Sequence, residues 1–157
     1  MNDNTEMVAF RKARIEDLSE IIVLLAEDVV AHSGEIVAKI PAPEYIRAFQ
    51  EIELDSNNEI IVGTLPNHKV IAVLQLTYIP VLVMRGVKRA QVEGVRVSSS
   101  LRSKGIGKKL LTYAFERAKE RGCGVVQLTS NKVRTNAIRF YKTLGFEATH
   151  EGMKKTL

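Results

Sequence analysis

The sequence predicts a mixed α/β, or α+β, fold: a single layer of sheet with helices packed against it. Three observations predict it. Apolar residues recur at helical spacing in some segments and in short strand-like runs in others. Their order is strand, two helices, three strands, helix, strand, helix, strand. The runs 59–64 and 70–79 flank Pro66-Asn67-His68, as the arms of an antiparallel hairpin do. The run 124–129 is almost wholly apolar, which suits a strand buried on both sides beside a parallel neighbour.

Each element follows from local chemistry. Val8-Ala9-Phe10 reads as a short first strand. Ile15, Leu18, Ile22, Leu25 and Val29 then line one side of an amphipathic helix of about four turns. Pro41 and Pro43 interrupt the chain, and Tyr45 and Phe49 stand one turn apart in a second helix over 44–53. Pro80 closes the hairpin, and a valine-rich strand covers 90–97. From Lys104 onward, Ile106, Leu110, Leu111, Ala114, Phe115 and Ala118 form the apolar face of a long helix. Arg121-Gly122 ends it, because a glycine after a basic last turn suits a helix C-terminus. A short helix over 135–144 stops at Gly145, and Phe146 onward is expected to form the last strand.

The chain has 157 residues, 45% of them hydrophobic and 26% charged, which suits one domain over residues 1–157. Such a domain needs no disulfide or metal to hold a core. The single Cys123 excludes an internal disulfide and a cysteine-based zinc site, and reads as a small buried hydrophobe. His32, His68 and His150 lack metal-ligand spacing, so no metal is expected. The polar, acidic residues 1–7 do not read as a signal peptide, and no apolar run approaches a bilayer span. A cytoplasmic protein without a membrane partner is expected. The net charge of +5 conceals a split. Residues 1–80 hold 6 Lys and Arg against 13 Asp and Glu, and residues 81–157 hold 17 against 5. The basic half suits a polyanion, and the acidic half a cationic partner. Nucleic acid is not expected as that polyanion, since the basic half lacks interleaved aromatics and Trp is absent.

The chemistry-bearing segment is Val95-Arg96-Val97, Ser98-Ser99-Ser100-Leu101, then Arg102-Ser103-Lys104-Gly105-Ile106-Gly107-Lys108-Lys109. A strand enters a loop with two glycines, and the loop opens a helix whose free N–H groups and dipole suit phosphate. The third glycine of a dinucleotide-binding fingerprint is missing, because Leu110 occupies its place. A P-loop also fails, because Gly107-Lys108 is followed by Lys109 rather than Ser or Thr.

Arg102-Ser103-Lys104-Gly105-Ile106-Gly107 resembles the Arg/Gln-x-x-Gly-x-Gly/Ala motif of the GNAT superfamily of acyl-CoA-dependent N-acyltransferases. Asn136-Ala137-Ile138-Arg139-Phe140-Tyr141-Lys142-Thr143-Leu144-Gly145-Phe146 resembles a shortened form of its second signature. Val92-Glu93-Gly94-Val95-Arg96-Val97 is similar to the glucosamine-phosphate N-acetyltransferases and other small-amine acetylators. The resemblance implies a largely antiparallel sheet with helices on both faces and a splayed parallel strand pair that holds the cofactor. It implies transfer of an acetyl group from acetyl-CoA to a primary amine within a ternary complex.

By the same resemblance, backbone groups of Val95, Arg96 and Val97 hold the pantetheine arm. Those of Arg102, Ser103, Lys104, Gly105, Ile106, Gly107 and Lys108 hold the pyrophosphate. Asn136 contacts the cofactor or starts its helix, with Asn131 and Thr135 as alternatives. Tyr141 matches the tyrosine that protonates the leaving sulfur, and the alternative is core packing at i, i+3, i+4, i+7 with Ala137, Phe140 and Leu144. Glu93 is the candidate base; simple alternation sets 93, 95 and 97 on one strand face. A solvated strand glutamate is its alternative. The acceptor is a small-molecule amine, a protein N-terminus or a lysine, and a homodimer paired through a C-terminal strand is possible within such a family. A catalytically idle acyl-CoA sensor is the rival reading.

Overall fold

The computed structural model describes residues 7–27 and 34–157. Five strands stand side by side in chain order: β1 Ala9–Lys12, β2 Asn58–Thr64, β3 Val70–Ile79, β4 Lys88–Val97 and β5 Cys123–Leu128. Neighbours are antiparallel from β1 to β4, and β4 pairs with β5 in parallel. A 3₁₀ turn at Ile15–Asp17 leads into α1 Leu18–Ala26, and α2 Pro43–Leu54 follows. The remaining helices are α3 Val83–Gly86 (a single turn), α4 Ile106–Glu120 and α5 Thr135–Thr143. Among the described residues no helix is long and apolar enough to cross a membrane.

Strand alternation divides the core in two. Leu18, Ile21, Ile22 and Leu24 of α1, with Phe49 of α2, bury Val62, Val70 and Val73 on one face. Ile106, Leu110, Leu111, Ala114 and Ala118 of α4 bury Ile61, Leu74, Leu76, Tyr78, Ala90 and Val92 on the other. Each buried Val, Leu, Ile or Phe among them contributes about 1.5–3 kcal/mol of burial. The 3.6-residue spacing of the apolar positions thus becomes one covered stripe per helix.

Two expectations are corrected. Ile15 lies in the 3₁₀ turn and is 42% exposed, so α1 begins at Leu18, where burial begins. Val29, placed in that helix by spacing, and His32 lie outside the described residues. No strand forms after α5. Phe146 packs against Phe115 and Tyr141, with ring centroids 5.9 and 5.8 Å apart. The residues beyond it are exposed and mostly polar, with no apolar alternation to bury against β5.

The end of the sheet away from the glycine loop is locked by a buried carboxylate. Glu59, 5% exposed, accepts from the Tyr78 hydroxyl and from two guanidinium nitrogens of Arg117 at 3.1 and 2.9 Å. Arg121 lies 4.6 Å above the Tyr78 ring. Burial alone would raise the Glu59 pKa, but the Arg117 and Tyr78 hydrogen bonds and the charges of Arg117 and Arg121 outweigh it, holding the carboxyl below its ordinary range. That contribution to stability is present above the unfolded carboxyl's range and is lost as pH falls through the lower folded value. Arg117→Ala, which strands this carboxylate, should lower unfolding free energy by about 2–3 kcal/mol in urea melts. A fully buried pair would lose about 3–5 kcal/mol, and Arg117 is partly solvated. The mutant's stability should also fall less steeply on acidification than the wild type's.

Candidate functional site

The site begins where β4 and β5 part. Their register runs from Lys88↔Cys123 to Val92↔Leu128 and stops, while β4 continues on β3 to Val97↔Ala72. The edge of β4 from Glu93 to Val97 therefore faces a gap instead of a strand. Gly94 marks the parting. Between Leu74's neighbours Val73 and Gln75, which pair with Arg96 and Glu93, β4 carries one residue more than β3. Gly94 absorbs this bulge at φ +62°, a left-handed value that glycine adopts without strain.

The bulge corrects the facing of Glu93. Glu93 and Arg96 pair with Gln75 and Val73, on the α1 side of the sheet. Val95 and Val97 instead pack with the α4 core. The extra residue shifts the alternation by one, so Glu93 does not share a face with Val95 and Val97. Glu93 is exposed.

Beyond Val97 the chain makes a 3₁₀ turn at Ser99–Leu101 and then passes Ser103 and Gly105 at φ +62° and +78°. These left-handed steps turn the chain into α4, whose N-cap is Gly105 with no side-chain cap. The first-turn N–H groups of a 15-residue helix thus face outward uncapped, beside the exposed Arg102, Lys104 and Lys108. Ile106 enters by its backbone alone, since its side chain is core at 1% exposure. Gly107 differs from Gly105. A Cβ there would come within 3.3 Å of the Phe140 ring, so this glycine admits α5 rather than an anion.

Two arginines lie along the open β4 edge. Arg96 donates to the Val95 carbonyl at 2.7 Å, and Arg102 donates through Nε to that of Val97 at 3.3 Å. Arg96 is half-buried, and desolvation lowers its pKa. Tyr141 of α5 is near enough to interact electrostatically with Arg96. Burial raises the Tyr141 pKa, and Arg96 and Arg134 partly oppose that rise. Among the described residues the Tyr141 hydroxyl has no hydrogen-bond partner.

The loop, the β4 edge and Tyr141 therefore converge, and Glu93 stands across the sheet from them. The Asn131 side-chain oxygen accepts from the Val133 N–H at 3.1 Å and shapes the turn into α5. Asn136 is exposed in the first turn of α5. Sequence reasoning missed the bulge, although a glycine inside a strand is its ordinary signal. It also missed Glu27, whose carboxylate accepts from the Ser99 N–H at 2.7 Å and ties α1 to the loop. Nothing in the spacing announces a contact across 72 residues. Among the described residues no group of His, Cys, Asp and Glu is arranged to hold a metal.

The acetyltransferase (GNAT) family model matches residues 20–146. The chain belongs to this family. A crystal structure described as a transcriptional regulator from Bacillus halodurans C-125 is 45% identical, covers 96% of this chain and 99% of that one, and superposes with a TM-score of 0.91. A glucosamine-6-phosphate N-acetyltransferase from Arabidopsis thaliana, 24% identical over 95% of this chain and 97% of that one, shares the fold with a TM-score of 0.77. An uncharacterized N-acetyltransferase of Methanocaldococcus jannaschii is 41% identical over 58 residues, 37% of this chain and 26% of that protein. The chain spans about a quarter to a third of the length of the curated relatives it matches. The expected GNAT fold, with its parallel pair in a mostly antiparallel sheet, is thus present.

Gly105 offers a direct test of the loop's backbone. Nothing lies within 4 Å of a Cβ built there, so only its left-handed φ resists substitution. Gly105→Val should lose about 1–2 kcal/mol of stability, whereas Gly105→Asn should lose little, because Asn tolerates that region. Thermal melts of the two variants check the difference.

Proposed function

We propose that residues 1–157 act as one acetyltransferase domain, moving an acetyl group from acetyl-CoA to a primary amine by direct attack. The observation that carries this reading is the unpaired β4 edge from Glu93 to Val97, which leads straight to an uncapped, basic helix N-terminus. An extended amide-bearing arm ending in phosphates suits that continuous surface: strand-like hydrogen bonding along the edge, then anion binding at the helix. Val95, Arg96 and Val97 would take the arm through their backbone, with Arg96 and Arg102 yielding the carbonyls they now bond. The backbone from Arg102 through Ser103, Lys104, Gly105, Ile106 and Gly107 to Lys108 would take the pyrophosphate, and Asn136 the arm's outer side.

Acetyl-CoA supplies an activated thioester. The amine nitrogen attacks its carbonyl carbon, a C–N bond forms, and the C–S bond breaks with its electrons on sulfur. Glu93 accepts the proton shed by the amine, through a water. Tyr141 gives its proton to the departing thiolate. The two groups act from opposite faces of the sheet, so the amine enters from the α1 side while the thiol is protonated from the α5 side. A raised Tyr141 pKa keeps the hydroxyl protonated until sulfur carries charge. The expected location is the cytoplasm, and no metal takes part in this scheme.

A second reading, a non-catalytic acyl-CoA sensor, is favoured by the description of the Bacillus halodurans protein as a transcriptional regulator. Thiol release separates the two, since a sensor binds acetyl-CoA and releases none with any amine of a broad panel.

Three outcomes are expected. Gly105→Asn, stable by the argument above, should weaken acetyl-CoA binding by at least about tenfold, or 1.4 kcal/mol, in calorimetry. Tyr141→Phe should lower kcat by roughly 10²-fold with acetyl-CoA affinity nearly unchanged. Wild-type kcat in that variant would return Tyr141 to core packing. Glu93→Gln should lose most kcat/KM near neutral pH and recover as rising pH supplies neutral amine.

A further inference from the structure

Arg89, Gln91 and Glu93 alternate onto the α1 side of β4, opposite the core residues Ala90 and Val92. Across from them on β3 stand Thr77 and Gln75, and Gln127 of β5 pairs with Gln91. All of these except Glu93 are half-buried. Where α1 and α2 cover β2 and β3 this face is valine and isoleucine; toward β5 it becomes a polar row.

The row is wired in one direction. Arg89 Nη1 donates to Gln127 Oε1 at 2.9 Å, and Gln127 Nε2 donates to Gln91 Oε1 at 2.5 Å. A guanidinium has donors only, so Arg89 obliges Gln127 to turn its oxygen inward. The Gln127 nitrogen must then donate, and Gln91 can meet it only with oxygen. The relay ends in the Gln91 NH₂ group, a donor one step along the strand face from the Glu93 carboxylate. Gln75 and Thr77 donate to Asn58 Oδ1 at 3.4 and 2.6 Å, which turns these two side chains toward β2. Residues two apart on a strand lie about 6.6–6.8 Å from each other.

We propose that Arg89, Gln127 and Gln91 form a polarity relay that selects the acceptor. The preferred amine carries an oxygen hydrogen-bond acceptor about 7 Å from its nitrogen, the spacing of Gln91 and Glu93. A second ammonium at that place is disfavoured, because two donors meet there. This rests on the acetyltransferase reading above, with Glu93 facing the amine. It also narrows what the acidic half of the sequence suggested. Many of its carboxylates are engaged within the protein: Asp17 by Arg11, Glu59 by Arg117, Glu20 by the Val70 N–H and Glu27 by the Ser99 N–H.

The probes are a matched linear pair, 5-aminopentanoate and 1,5-diaminopentane, measured with acetyl-CoA as acceptors and as competitors of the best amine in a wide panel. Wild type should prefer 5-aminopentanoate by roughly five- to tenfold in KM or Ki, the range of one unmade hydrogen bond. Gln91→Met removes the terminal donor without changing charge, and should erase the preference while leaving KM for acetyl-CoA unchanged. Gln127→Glu keeps the Arg89 bond but can only accept, so Gln91 must turn its nitrogen inward and its oxygen out. The order of the two amines should then reverse. A folded Gln91→Met enzyme with the wild-type preference overturns the relay, as does a wild type that prefers the diamine. A wild type that releases no thiol with any amine of the panel overturns the acetyltransferase reading instead.

Discussion

The candidate site in this fold depends on β4 outrunning its parallel partner. Five paired positions tie β4 to β5, and the next five residues of β4 keep only their β3 side. An unpaired strand edge inside a sheet is costly unless its backbone groups find other partners. The protein meets that demand with its own arginines, which lie across the Val95 and Val97 carbonyls. The bulge at Gly94 turns the same stretch by one residue, which separates the face of Glu93 from that of Val95. Parting and bulge together create a slot open to both faces of the sheet.

Charge is distributed to serve this arrangement. Four of the seventeen basic residues of the second half, Arg102, Lys104, Lys108 and Lys109, stand where α4 begins, and many acidic residues of the first half hold the scaffold. Asp17 fixes the entry to α1 through Arg11 and the Arg14 N–H, and Glu59 closes the far end of the sheet. Such pairs consume charge that a count along the chain would assign to a ligand. A charge split in sequence is therefore a statement about partners only after internal pairs are removed.

Much of the architecture was legible. Helix-period stripes in α1, α2 and α4 and the hairpin of β2 and β3 report burial, and burial is what periodicity encodes. The run 124–129 does have its parallel neighbour, but no residue of β5 is buried, because β5 is the last strand of the sheet. The glycine loop was legible as a strand-to-helix turn because it joins strand end, glycines and helix start within a few residues. The failures have physical causes. Alternation on β4 misled because one inserted residue inverts every position after it. The last strand was expected from position alone, and residues 147–157 lack the apolar period that would bury it. Glu27 with Ser99, and Arg89 with Gln127 and Gln91, are contacts between distant segments, set by packing rather than by any local spacing.

The strand order has a kinetic side. β2, β3 and β4 follow one another through short connections, so this meander closes with little loop entropy. β5 reaches β4 only after the whole of α4 has been laid down over the sheet, and parallel pairing of this kind assembles slowly. The β4–β5 seam is therefore the part of the sheet that forms late and reopens early. An extended segment of any kind would find strand-like partners at its half-open end, on the side of β4 that β5 leaves free.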